Sequence, residues 1–357
     1  MYCGNRSDYG GTVSGKIKFL LKRLTDMDFG RMFRRAKQMG VKYHRNSFFM
    51  LIDIIYSGIK YQAGYEDYVL FDFAELTPEQ RATYVTRGYD DMLVRMYNHP
   101  DYRHILKNKI EFFEVFHAYI KRDWIDVSKA TFEVFDKWVA GRKDFMIKPL
   151  DGSCGRGVMK ITTADYADTK AIYDFILTNQ SVLAEERVIQ NDKMASIYPG
   201  AINTIRIVSL YNKECDKVYF PFIAIRIGNG GVVDNINSGG MTSIVDAETG
   251  IIRFPASDKN FIKYETHPVT GTVFKGFQIP MWTECLALVC EAVRLLPEVG
   301  YVGWDVAISK NGPLLLEAND YPGHDIYQMP GMVPDKIGML PTFQAIVDEK
   351  RTCKSSK

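Results

Sequence analysis

The chain has 357 residues, 46% of them hydrophobic and 25% charged, with a formal net charge of +2. That is the composition of an ordinary globular protein, long enough for two or three lobes with their own cores. The longest apolar stretch, residues 47–55, is interrupted by Asp53 and falls short of the roughly 20 residues that span a bilayer.

Charge is distributed unevenly. Residues 1–60 hold 12 Lys and Arg against four Asp, a surplus of eight, so the rest of the chain is net acidic. The basic start, with Ile17, Phe19, Leu20, Leu21 and Leu24, reads either as a solvated helix face or as a segment for an anionic membrane surface. No nucleic-acid-binding motif accompanies the charge, which argues against that partner. The N-terminus lacks the apolar core of a secretory signal. Six cysteines without paired metal spacing fit reduced thiols in a cytoplasm.

In chain order, the first hundred residues read as mostly helical. Thr77-Pro-Glu-Gln80 carries a capping box with Pro at the first helical position. Tyr56, Tyr61, Tyr65, Tyr68, Phe71, Phe73, Tyr84 and Tyr89 crowd this region, as core and packing residues before any sugar platform. Residues 108–140 read as further helices. Then comes a strand, Asp144 to Leu150, a glycine loop, Asp151 to Gly157, and a second strand from Val158 to Ile161. A helix is expected from Ala164 to Leu177. The runs 205–210 and 218–225 read as antiparallel strands, with Pro221 at an edge or a bulge. Residues 281–296 have helical spacing.

The last strong signal is the stretch 302–323. Two apolar runs flank Asn311-Gly312, a hairpin signature. Asp305 sits inside the first run, where a carboxylate is costly unless paired or bound to a cation. Glu317 and Asn319 share one face of the second. The three form a hard, all-oxygen set suited to Mg²⁺. Convergence depends on register. A two-residue turn at Asn311-Gly312 would pair Asp305 with Ala318 and turn it away from Glu317. A three-residue loop of Lys310, Asn311 and Gly312, with Gly312 left-handed as a bulge, would set Asp305 opposite Glu317 at a distance one ion can bridge.

The glycine loop fits neither a Walker motif nor a dinucleotide fingerprint, because Gly157 leads into a strand without Lys-Ser/Thr. It reads as a hairpin flap in which Gly152, Gly155 and Gly157 let backbone N–H groups approach phosphate oxygens. Lys148, four residues ahead, would add a point charge.

These residues resemble the ATP-grasp superfamily over roughly 105–345. The likeness rests on Ile147-Lys-Pro with Gly152-Ser-Cys-Gly-Arg-Gly157, Leu183-Ala-Glu-Glu-Arg-Val188, Asn203-Thr-Ile-Arg206, Asp234 to Gly240, and Asp305 with Glu317-Ala-Asn319. It is most similar to the sugar-transfer-associated branch, which is associated with bacterial surface polysaccharides. The resemblance implies an α+β fold in which two lobes clasp ATP, behind a helical, basic N-terminal region (1–105). The ATP-grasp domain would span 106–345, with a flap lobe at 106–190, a metal and substrate lobe at 191–345, and a polar tail at 346–357.

The resemblance also implies roles. Lys109 and Lys148 would be the nucleotide lysines, Gly152, Ser153, Gly155 and Gly157 the phosphate flap. Glu185, Glu186 and Val188 would form the hinge that meets adenine through backbone atoms, and Asp192 a ribose contact. Arg206 would face the γ-phosphate and the reacting carboxylate. Asp305, Glu317 and Asn319 would hold Mg²⁺, with Glu317 bridging two ions. Asn203, Asn235, Asn237, Ser238, Gly239 and Gly240 would lie near the acceptor. Cys154 lacks a partner base and reads as inert. The implied activity is an ADP-forming ligase that joins a small carboxylate to an amine or hydroxyl through an acyl phosphate, in the cytoplasm or at the membrane surface. A phosphotransferase, or a non-catalytic nucleotide-binding component of a polysaccharide complex, are the alternatives.

Overall fold

The computed structural model describes residues 28–150, 157–230 and 239–355. The basic segment before residue 28 and most of the flap lie outside them. The chain forms two compact units that divide between Glu75 and Leu76. None of the described helices is long and apolar enough to cross a membrane.

The first unit is helical, as expected: α1 (Phe29–Tyr43), α2 (Ser47–Lys60) and α3 (Tyr65–Leu70). Asp28 and Asn46 cap α1 and α2 by accepting from Arg31 N and Phe48 N, which satisfies N–H groups that have no partner inside the helix. Met32, Ala36 and Met39 on α1, and Met50, Ile54 and Ser57 on α2, are buried at i, i+4, i+7 spacing. Tyr68, Phe71 and Phe73 are also fully buried, so these rings are core and not a platform.

The second unit opens with α4 (Pro78–Arg81), whose capping box is present in both directions. Helices α5 (Arg87–Tyr97), α6 (His104–Lys107), α7 (Lys109–Val115) and α8 (His117–Ile120) follow. The stretch expected to be wholly helical contains a strand, β1 (Trp124–Asp126), before α9 (Phe132–Val139). Three residues are too few to show an alternation, and β1 exists because it pairs with Leu183–Glu185.

A four-stranded sheet, ordered β1-β4-β2-β3, holds the flap strands β2 (Asp144–Lys148) and β3 (Met159–Thr162) as an antiparallel pair, with β4 (Leu183–Glu185) beside β2. The helix expected from Ala164 begins later, as α10 (Thr169–Thr178), because Asp168 accepts from Ala171 N and fixes the cap there. Phe135 and Val139 from α9 pack with Ile172 and Ile176 from α10 onto Phe145, Ile147 and Ile161.

After the short α11 (Asp192–Ala195) comes a seven-stranded sheet ordered β11-β10-β5-β6-β7-β8-β9. Its long strands are β5 (Thr204–Asn212), β6 (Lys217–Ile227), β10 (Tyr301–Ser309) and β11 (Gly312–Asn319), and β7 (Met241–Ile244), β8 (Ala256–Ser257) and β9 (Lys263–Tyr264) extend it. All nine residues of β5 are buried, since both faces are covered. Ile205, Ile207, Trp304 and Val306 face α12 (Trp282–Leu295). Val208, Leu210 and Tyr301 face α5 and α13 (Leu340–Ser355). Pro221 lies at a register shift between β5 and β6, as expected of a residue that cannot donate to the ladder.

Candidate functional site

Asp305 points from β10 into the face of the large sheet that carries Arg206 on β5, directly opposite in register. Arg206 grips it with two bonds, Nε to Oδ1 at 2.6 Å and Nη2 to Oδ2 at 3.0 Å. Arg226 on β6 adds Nη1 to Oδ2 at 2.9 Å. Burial pushes the Asp305 carboxyl up, but the two guanidinium groups hold it down, at about 2. Arg226 was not anticipated. The signal was available, a lone charge in the apolar run from Phe222 to Ile227, and it is of the kind that singled out Asp305.

Glu317 lies opposite Asp305. The facing was expected, but its origin differs. From Ser309↔Gly312 to Val306↔Leu315 the strands pair as though the loop were only Lys310-Asn311. Leu316 then bulges out, and the register slips by one so that Asp305 meets Glu317. Gly312 has positive φ, 117°, but belongs to the strand. The extra residue is therefore in the strand beside the site and not in the turn, a common place for a bulge that re-aims a side chain. Burial, followed by the charge of Asp305, raises the Glu317 carboxyl to about 6, and the two groups share a hydrogen bond.

The second half of the site lies on the small sheet. Lys148 at the end of β2 forms an ion pair with Glu185 on β4. Arg122 reaches Glu185 Oε2 with Nη2 at 2.8 Å and Nε at 3.0 Å. Burial disfavours the Glu185 carboxylate, yet Arg122 and Lys148 more than offset it and hold its pKa below the usual range. Arg122 Nη1 also donates to the Leu315 carbonyl at 2.7 Å. One guanidinium thus links β4 to the residue before the bulge. Sequence reasoning missed Arg122, which stands in a polar turn with no periodic signal.

Lys109 donates to the Leu150 carbonyl at 3.2 Å, just before the flap. With Phe112, Phe113, Glu317 and Asn319 it lines a cavity of about 300 Å³. Other expected residues fall around this centre. Glu186 is exposed, donates its backbone N–H to the Asp123 carbonyl and accepts at its carboxylate from Asp123 N at 3.3 Å. Val188 is half-buried. Asp192 opens α11, exposed, with Lys310 at 3.0 Å. Asn203 is buried, and its Nδ2 serves Gln190 and the carbonyls of Met194 and Tyr198; in this arrangement it braces the 190–203 turn. Gly157 has φ 73°, and a Cβ there would meet Pro149 at 3.0 Å. Gly239, at φ 93°, and Gly240 precede β7. Gly152, Ser153, Cys154, Gly155, Asn235, Asn237 and Ser238 lie outside the described residues.

The donors suit Mg²⁺. Two carboxyl groups occupy one buried position, where a shared proton offsets their repulsion, and a divalent cation would do so more fully. Among the described residues no three His, Cys, Asp or Glu side chains gather. The third ligand would be the Asn319 amide, whose nitrogen is buried without a partner and whose oxygen takes that place after a half-turn.

The sequence matches the sugar-transfer associated ATP-grasp family over residues 89–339. The chain belongs to that family, and is accordingly an ATP-dependent ligase of the ATP-grasp fold, a class that works with ATP and Mg²⁺. A search of curated proteins found no match. Among solved structures it is similar to the ATP-grasp ligase PsnB complexed with a minimal precursor, at 14% identity, over 76% of this chain and 70% of that one, with a TM-score of 0.41. D-alanine–D-alanine ligase from Bacillus anthracis matches at 14% identity over 71% and 70%, TM-score 0.39. D-cycloserine synthetase DcsG matches at 12% over 69% and 71%, TM-score 0.39.

Proposed function

We propose that this ligase activates a small carboxylate, such as an amino acid, as an acyl phosphate and transfers it to an amine or hydroxyl of a sugar or surface-polysaccharide precursor. The observation that carries the reading is the meeting of Lys109, Glu317 and Asn319 around one cavity, beside the Asp305–Glu317 pair and the Arg206 that grips it. In the first step a carboxylate oxygen attacks the γ-phosphorus, the bond to the β-phosphate oxygen breaks and ADP leaves. In the second the acceptor attacks the acyl carbon, phosphate leaves and the acceptor loses its proton.

Lys148 and Lys109 bind the nucleotide phosphates, with Gly152, Ser153, Gly155 and Gly157 closing over them through backbone N–H groups. The hinge of Glu185, Glu186 and Val188 orients the base, with Asp192 toward the ribose. Arg206 neutralises charge that develops on the transferred group, a contribution realised mainly in the transition state. Asp305, Glu317 and Asn319 would hold Mg²⁺, which would supply charge neutralisation at the phosphates. Asn203 and the loop from Asn235 to Gly240 border the acceptor. A division at 106–190 and 191–345 is supported by the strand placement: the strands of one sheet come from residues 124–185 and those of the other from 204–319.

The test is ADP release over a panel of carboxylic acids crossed with amines and amino sugars. Hydroxamate formation in the presence of hydroxylamine and a stimulating acid supports the acyl phosphate. Release that needs only a hydroxyl compound, with no hydroxamate, assigns a phosphotransferase instead. ATP binding without turnover on any pair points to a nucleotide-binding component of an assembly complex.

A further inference from the structure

Cys215 and Cys353 are far apart in the chain and share no motif, but the fold brings them together. Cys215 is exposed in the turn between β5 and β6, residues 213–216, and Cys353 is half-buried in the last turn of α13. The turn runs along one face of the helix. Asn212 Nδ2 donates to the Ile346 carbonyl at 3.5 Å, Glu214 Oε2 lies 4.0 Å from Lys350 Nζ, and Lys217 Nζ lies 2.7 Å from Glu349 Oε1. Ile346, Lys350 and Cys353 follow at i, i+4, i+7, a single helical stripe. The order Asn212, Glu214, Cys215 along the turn therefore meets Ile346, Lys350, Cys353 along the helix. At the end of this register Cys215 is hydrogen-bonded to Cys353, and that bond, followed by burial, pushes the Cys215 thiol up to about 11.

Both sides of the contact are held in place. Cys215 N donates to the Asn212 carbonyl at 3.2 Å, and the neighbouring Asp216 accepts from Arg294 Nε at 2.7 Å and from the Tyr211 hydroxyl at 2.9 Å. Helix α13 is fixed through Phe343, Ile346 and Val347, which pack with Val208, Leu210 and Tyr301. We propose that Cys215 and Cys353 are a redox modification site, closing into a disulfide when a hydroperoxide is the oxidant. One thiolate attacks a peroxide oxygen, the O–O bond breaks, and a sulfenic acid forms as water or an alcohol leaves. The other thiol attacks that sulfur, its proton leaving with the displaced hydroxide as water, and the S–S bond forms. Two thiols thus lose the two electrons that the peroxide gains. The raised Cys215 thiol holds its proton at neutral pH, so the pair stays reduced until oxidant is in excess. The closed bridge ties the last turn of α13 to the β5–β6 turn, and so holds the helix on the sheet that carries Arg206 and Asp305. Neither cysteine is given a part in the ligase chemistry, and the proposal is independent of which acid the ligase activates.

The test is to treat the reduced full chain with hydrogen peroxide, block the remaining thiols with iodoacetamide and map the peptides without reduction. A peptide joining Cys215 to Cys353 should appear, two hydrogens lighter than its halves, and dithiothreitol should remove it. The bridged protein should unfold about 5 °C or more above the reduced one. Cys215→Ser and Cys353→Ser, made separately, should each abolish the peptide and the shift, while Cys290→Ser on α12 should keep both. Oxidation of either cysteine to the sulfinic acid with no joined peptide overturns the proposal, as does a bridge that forms between two chains on a non-reducing gel. A joined peptide that leaves the unfolding temperature unchanged overturns it too, because the bridge would then hold nothing.

Discussion

Arg122→Ala is the perturbation whose consequences the structure specifies best. Its guanidinium is nearly fully buried, together with the Glu185 carboxylate it holds. Removing it leaves Glu185 with Lys148 alone, and the Leu315 carbonyl without its donor. Breaking a buried pair by deleting one partner costs about 3–5 kcal/mol, mostly because the remaining charge stays desolvated. For a chain of this size that lowers the melting temperature by on the order of 10 °C.

Urea unfolding gives the size, and a cycle gives the cause. If the cost is the stranded charge, Glu185→Gln introduced on top of Arg122→Ala should recover about half of it or more, so the two changes will be strongly non-additive. Arg122→Lys should cost less, about 1–2 kcal/mol, because it keeps the charge but loses the fork that reaches Glu185 and Leu315 at once. A loss under about 1 kcal/mol for Arg122→Ala, or simple additivity with Glu185→Gln, would show that Arg122 is not a clasp between the sheets.

Three further outcomes follow from the site. Glu317→Gln should fold normally, weaken ATP binding and lower turnover by about 100-fold or more, because the lost charge acts in the transition state; turnover near the wild-type value would remove the metal assignment. The Glu317 carboxyl is raised from 4.5 to about 6 in the folded protein. The protonated pair therefore contributes stability below about pH 4.5, and this is lost as pH rises through about 6, an effect of roughly 2 kcal/mol. Urea midpoints at pH 4.5 and 7.5, compared with Glu317→Gln, isolate it, and equal pH slopes in the two proteins would refute it. Lys148→Ala should raise the apparent KM for ATP about tenfold or more while Cys154→Ser stays close to wild type; an inactive Cys154→Ser would call for mass spectrometry of a trapped covalent species.

Most of what the sequence displayed locally appears in the fold. The capping box at Thr77, the strands of 204–227 and the helix of 282–295 need only their neighbours to specify them, so periodicity and cap chemistry suffice. What local pattern could not supply was pairing. Trp124–Asp126 is a strand only because Leu183–Glu185 lies beside it. Arg122 acquires its place from Glu185, 63 residues on, and from Leu315, 193 residues on.

The register of the last hairpin shows the limit most sharply. A buried Asp305 and a Glu317 that faces it require one extra residue somewhere between them, and that much follows from the period of two in a strand. Where the residue goes is a different matter. Gly312 is the locally favoured place, since glycine takes positive φ without strain. The structure instead bulges at Leu316, immediately beyond the carbonyl that Arg122 holds. A bulge there leaves the turn and four rungs of the ladder regular and places the irregularity next to the cavity, where Glu317 must turn toward Asp305. The choice is made by Arg122 and Glu185, through a contact between sheets, and a reading confined to the hairpin contains neither residue.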